Sequence, residues 1–258
     1  MNAGVNTSGQ IVLDIKKISL DGPWSWLAAA SKDLMRKPML SLGYGLIFAV
    51  VSAAIVYLAF ALDLASFAMA LGGGFMLVGP MLAVGLYEMS RRYELNKDVS
   101  ADKVFFVGTK SPTQLAFLGA LLMIALLIWI RIATLLFALF WGTKEFPPIA
   151  EFLPTLLFTT DGLSLLIVGS IAGGLLAFAV FGMSVISVPL LMERDVDAIT
   201  AIIASFTAIK TNFWPMMLWA LLIAGLSAIG IATLFVGLIF TFPLVGHGTW
   251  HAYRALVD

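Results

Sequence analysis

The chain has 258 residues, 61% of them hydrophobic and 12% charged, and its basic and acidic side chains cancel to zero net charge. A mean hydropathy of +1.02 excludes a water-soluble domain and marks an integral membrane protein, while the neutral balance argues against nucleic acid as a partner. With no cysteine, disulfides, thiolate metal sites and redox thiols are excluded as well.

Residues 1–22 are expected to be a flexible cytosolic N-terminus, and residues 23–258 a single transmembrane domain. No apolar core with a small-residue cleavage site occurs within residues 1–37, so the first span is expected to start insertion itself and to leave the N-terminus in the cytosol. Ahead of that span, "DGPWSWLAAASKDLMRK" reads as an amphipathic arm with Trp24, Leu27, Leu34 and Met35 on its apolar side, behind a proline suited to a first helical turn.

A span takes about 20 apolar residues to cross roughly 30 Å of hydrocarbon. The apolar runs are 38–62, 64–89, 115–141, 163–192 and 213–245. The last is long enough for two spans, and a turn within 229–237, where Gly230, Thr233 and Gly237 weaken a continuous helix, gives six in all. The segment "DVSADKVFFVGTK" reads as a second arm with Ala101, Val104 and Phe105, Ser100 being its N-cap. "DVDAITAIIASFTAIK" reads as a third, with Ile199, Ile202, Ile203 and Phe206 at i, i+3, i+4 and i+7. Each arm is expected to lie flat on the membrane.

With six spans, every lysine and arginine except Lys144 and Arg131 falls on one side, which orientation by basic loops makes the cytosol. Pro80, Pro189 and Pro243 each lie shortly before the cytosolic end of an even-numbered span, where proline frees a carbonyl and kinks the helix. Arm, outgoing helix and kinked returning helix together suggest a pseudo-threefold repeat, with units at about 24–92, 99–194 and 197–254. The middle unit carries an extra outer loop, "GTKEFPPIAEFLPTLLFTTDG". Gly72, Gly73, Gly74, Gly79, Gly169, Gly173 and Gly174 give the second and fourth spans small-residue faces that let helices approach closely.

"GHGTWHAYR", residues 246–254, holds the only two histidines, His247 and His251, on one helical face. One reading is a ligand pair: the repeat would bring Glu88, Glu193, Arg194 and Asp195 to the same depth, and a carboxylate with two histidines is an open metal site. The other is a polar belt at headgroup level with Trp250 and Tyr253, closed by Arg254. Arg131, about 24 Å along the third span at 1.5 Å per residue, is expected to snorkel outward or to pair with Asp63, Glu145, Glu151 or Asp161. No H-E-x-x-H or G-x-S-x-G motif and no paired intramembrane aspartates occur.

Four blocks, "ISLDGPWSWLAAASKDLMRKPMLSLGYGL", "VGPMLAVGLYEMSRR", "SVPLLMERDVDAITA" and "GHGTWHAYRALV", resemble the bacterial integral-membrane family known as domain of unknown function 2189. The resemblance implies a multi-pass inner-membrane location and an all-helical fold, and no activity. The expectation is a non-enzymatic scaffold or assembly partner without a cofactor. Its partners would be the bilayer and, through small-residue faces, other membrane proteins or a second copy. A transporter of a small solute or metal ion, hinged at the three prolines, is the alternative, and a metalloenzyme built on Glu88, His247 and His251 the third reading.

Overall fold

The computed structural model describes residues 4–5, 11–12, 14–62, 64–142 and 149–257. Asp63, Lys144 and Glu145 lie outside the described residues. Two two-residue strands, Gly4–Val5 (β1) and Ile11–Val12 (β2), pair antiparallel. Beyond them the described chain is helix and connecting turns.

The first arm is α1 (Gly22–Arg36), with Pro23 in its first turn and Arg36 in its last. Its buried face is Trp26, Ala30 and Asp33, at i, i+4 and i+7, and Trp26 meets Trp219 edge-on at 5.5 Å. The stripe expected from sequence turns the other way: Trp24 and Met35 are exposed, Leu27 and Leu34 half-buried. The apolar residues of α1 therefore divide between two faces, and the packed one carries a carboxylate.

After α1 come α2 (Pro38–Ala61), α3 (Ala65–Leu82), α4 (Val84–Glu94), the short α5 (Ala101–Phe105), α6 (Pro112–Trp141) and α7 (Ile149–Phe158). The chain then forms α8 (Thr160–Ser184), α9 (Ser187–Glu193), α10 (Ala198–Thr211), α11 (Phe213–Ala232) and α12 (Leu238–Val257). Among the described residues, four stretches are long and apolar enough to cross a membrane: Pro38–Ala61, Pro112–Trp141, Thr160–Glu193 and Phe213–Ala232. In α12 the second half carries His247, Thr249, His251, Tyr253 and Arg254, which dilutes its hydropathy.

The three prolines act in different ways. Pro80 lies inside α3, which ends two residues later at a turn where the Ala83 N–H donates to the Gly79 carbonyl (2.9 Å). At Pro189 the interruption precedes the proline. α8 ends at Ser184, α9 restarts at Ser187, and Pro189 sits in a first turn, where its missing N–H has no partner to lose. The Ile186 N–H exposed by that break donates to Ser205 Oγ of α10 at 3.2 Å. Only Pro243 sits well inside its helix, α12.

The turn between α11 and α12 falls at residues 233–237, within the expected interval, but its glycine is not the residue that bends the chain. Leu234 and Phe235 hold φ of 53° and 69°, a left-handed conformation that L-residues adopt at a cost of about 1–2 kcal/mol each. Thr233 Oγ1 closes the turn by donating to the Ile229 carbonyl (2.9 Å) and accepting the Gly237 N–H (2.8 Å). Because Leu234 is exposed, Leu234→Gly is expected to stabilise the protein by about 0.5–1 kcal/mol after the unfolded-state entropy of glycine is subtracted. A raised melting temperature in detergent is the check.

α10 exposes Ile199, Ile203 and Phe206, with Ile202 half-buried, and packs Ala198, Ala201, Ala204, Ser205 and Ala208 against the bundle. Its N-cap is Asp197, whose Oδ1 accepts the Thr200 N–H (2.9 Å); hydrogen bonds from Thr200 hold that carboxyl below its usual range. The main core lies where α1, α4, α9, α10 and the second half of α12 meet, around Leu86, Met89, Ile186, Leu190, Trp219 and Trp250. Gly45 permits the crossing of α2 and α12, since a Cβ there would stand 2.5 Å from the Ile239 carbonyl oxygen. Residues ahead of α1 are tied to this end too: Lys16 N–H donates to the Leu256 carbonyl (2.9 Å), and Asn212 bonds both Ile18 N–H (2.8 Å) and the Lys16 carbonyl (2.9 Å).

Candidate functional site

The polar side chains converge at the densely packed end, in two clusters. The first is a chain of hydrogen bonds across four helices. Ser90 Oγ on α4 donates to Asp33 Oδ2 on α1 (2.8 Å) and lies 2.8 Å from His247 Nδ1 on α12. His247 Nε2 is 3.1 Å from Ser41 Oγ on α2, and His251 Nε2, one turn further along α12, reaches Asp33 Oδ2 at 2.8 Å. Ser41, Ser90, Asp33 and His247 are all buried.

The directions follow from proton counting. Ser90 has one proton and gives it to Asp33, so His247 Nδ1 must donate to Ser90, and the neutral ring then accepts from Ser41 at Nε2. This inverts the order of a hydrolytic triad, in which histidine stands between serine and the carboxylate. Here serine stands between histidine and the carboxylate. The arrangement serves as a clasp joining α1, α2, α4 and α12, with every member of it satisfied. Burial works to raise the Asp33 carboxyl, but the hydrogen bonds from His251 and Ser90, with the nearby histidines, hold it below its usual range. Arg36 adds a longer contact, 3.8 Å to Asp33 Oδ1, and stacks its guanidinium 5.0 Å from the Tyr93 ring centroid.

The second cluster uses the carboxylates expected near the histidines. Buried Glu88 accepts from Arg91 Nε (2.7 Å) and Arg92 Nε (2.7 Å), with Arg91 Nη2 at 3.1 Å. Glu193 at the end of α9 accepts from Tyr253 Oη (2.7 Å) and pairs with Arg254 Nη1 (3.3 Å), and Arg254 Nε reaches Glu94 at 3.0 Å. Ser111 Oγ donates to the Arg194 carbonyl (3.0 Å) and lies 3.3 Å from Asp195 Oδ1.

Of the residues singled out from sequence, the structure joins the two histidines through Asp33 and Ser90, and joins Glu193 to Arg254. Glu88 stands apart from the histidines, its oxygens taken by the two arginines of its own helix. No group of three potential ligands able to hold a metal occurs among the described residues. Arg131 is exposed on α6, and no ion pair joins it to Glu151 or Asp161. Sequence reasoning missed Asp33, Ser41 and Ser90. The available signal was Asp33 itself, seven residues after Trp26 on the face that packs.

At the other end of the bundle, residues of α3, α6, α7, α8 and α11 line an apolar cavity of about 490 Å³ that is partly open to the surface. Gly169 and Gly173 line it, Gly173 lying beneath the Trp129 ring.

Residues 67–193, from the first turn of α3 to the end of α9, match the model of a family described as predicted integral membrane protein, domain of unknown function 2189. The match agrees with the family resemblance over the block at 78–92 and the start of the block at 187–201. The matched region includes Glu88, Ser90 and Glu193 but neither Asp33 nor the histidines. No curated protein and no solved structure matches the chain.

Proposed function

We propose that this integral membrane protein, matched over residues 67–193 by the family of domain of unknown function 2189, is a non-enzymatic scaffold or assembly partner for other membrane subunits in a bacterial inner membrane. In this reading α3 with α4, and α12, are the second and sixth spans, and the basic end with both termini faces the cytosol. α1, α5 and α10 are interfacial arms, with exposed Trp24, Phe105, Phe106, Ile199 and Phe206 in the inner leaflet and cations near their C-termini against anionic headgroups. A threefold repeat of arm and helix pair accounts for the spacing.

The observation that carries the reading is the unequal burial of the spans. Only 6% of the apolar window of Thr160–Glu193 is buried, against 22% for each of the other three. Ile167, Ile171, Leu175 and Phe178 form an exposed stripe on α8 at helical spacing, a face on which a neighbouring subunit's helix can pack. The buried carboxylates are consumed by partners in their own chain, which favours structural roles for them over cargo binding.

Purification in mild detergent should bring down stoichiometric membrane proteins with the wild type, and Ile171→Trp with Leu175→Trp should release them while the protein stays folded. Elution as a lone chain, together with solute flux in proteoliposomes, would favour the transporter reading instead.

A further inference from the structure

We propose that the cavity between α3, α6 and α8 is a binding site for one phospholipid acyl chain. Its walls come from Leu77, Trp129, Phe137, Gly169, Gly173 and Ala177, with Leu156 of α7 and Ala224 of α11 completing the lining of a space that stays open on one side. Along α8 the lining runs from Leu165 to Ala177, about 18 Å at 1.5 Å per residue. Spread over that length, 490 Å³ gives a mean cross-section of about 27 Å², a third of the roughly 80 Å² of an α-helix 10 Å across. The space is too narrow for a partner's helix. A methylene fills about the ~30 Å³ that a water molecule takes in the liquid, so the cavity has room for roughly 16 methylenes, one full acyl chain.

Water is a poor occupant. Among the described lining residues Ser170 supplies the one side-chain hydroxyl, and a buried water needs two to four polar partners. Leaving the space empty would forfeit dispersion contacts in proportion to its volume, while the surrounding solvent at this depth is itself hydrocarbon. Glycine makes the room: a Cβ on Gly169 or Gly174 would meet nothing within 4 Å, whereas one on Gly173 would stand 2.9 Å from the Trp129 ring. Gly169 and Gly174 thus hold the space open without being needed for helix contact, and Gly173 lets the indole roof it.

The test uses the full chain, delipidated in dodecyl maltoside and re-exposed to phosphatidylethanolamine carrying either two 16-carbon or two 8-carbon chains, with retention read by native mass spectrometry. Wild type should retain one 16-carbon lipid at least tenfold more tightly than the 8-carbon lipid, and phosphatidylglycerol of the same chain length should behave alike. Gly169→Leu, whose Cβ would meet nothing within 4 Å, should abolish the chain-length preference while melting no lower than wild type. Gly43→Leu, equally open but away from the cavity, should keep it. Equal retention by wild type and Gly169→Leu, no chain-length preference in wild type, or selective retention of a polyprenyl compound over phospholipid would each overturn the proposal. If Gly169→Leu fails to fold, Gly174→Leu is read by the same criteria.

Discussion

Asp33→Ala is expected to lower the stability of the protein by about 3–5 kcal/mol, the range for removing one partner of a buried charged pair. Three groups lose their acceptor or its charge at once. Ser90 and His251 each lose a 2.8 Å hydrogen bond to Oδ2, and Arg36 loses its counter-charge. Asp33→Asn keeps one acceptor oxygen and should cost less, about 1.5–3 kcal/mol, as for a hydrogen bond to a charged group. The sign of the acid dependence follows from the lowered Asp33 carboxyl. A carboxyl with a folded pKa below its unfolded value contributes stability that is fully present above the ordinary carboxylate range near pH 4 and is lost as pH falls through the lower folded value. Wild type should therefore melt earlier in detergent below about pH 4, and Asp33→Asn should lack that component. A double-mutant cycle of Asp33→Ala with His251→Ala should give a coupling of about 1–3 kcal/mol; zero coupling would place the histidine outside the clasp.

The sequence made the membrane class and the longest helices legible because hydrocarbon permits few solutions. Pro38–Ala61 and Pro112–Trp141 fall nearly where their apolar runs begin and end, and Phe213–Ala232 starts with the last run and stops at the turn expected within it. The arms were legible as helices but not as oriented ones. In α1 both the exposed and the packed face contain large apolar residues, so periodicity alone could not say which face packs. Asp33 looks like a solvated arm charge until the second half of α12 is brought against it. Of the candidate cluster, the meeting of Glu193 with Arg254 comes from the ends of α9 and α12 lying side by side. That Glu88 is taken by Arg91 and Arg92 was written locally, at i+3 and i+4 on one helix, and a carboxylate already paired on its own helix is a weaker candidate for a distant site. The cavity had no sequence signal of its own, because glycines that let helices touch and glycines that keep a space open have the same spacing.

Glu88→Ala should be the other large loss, near 3 kcal/mol at the low end of the range for a broken buried pair, because Arg91 and Arg92 retain about a fifth of their side-chain exposure and can be partly rehydrated. The more informative variant removes all three charges. A buried triad replaced by apolar residues of similar size is often neutral or stabilising, since the desolvation of all three groups disappears with their attraction. Glu88→Leu with Arg91→Met and Arg92→Met should therefore recover most of the loss, less the Arg92 bond to the Asp98 carbonyl (2.9 Å). Detergent melting of wild type, the single and the triple variant measures this directly. The triple variant also separates structure from recognition: if its fold is restored and co-eluting subunits persist, the triad serves only the bundle. Loss of those subunits from a well-folded triple variant would instead mean that Arg91 or Arg92 reaches a partner's acidic surface with the fifth of its side chain left exposed.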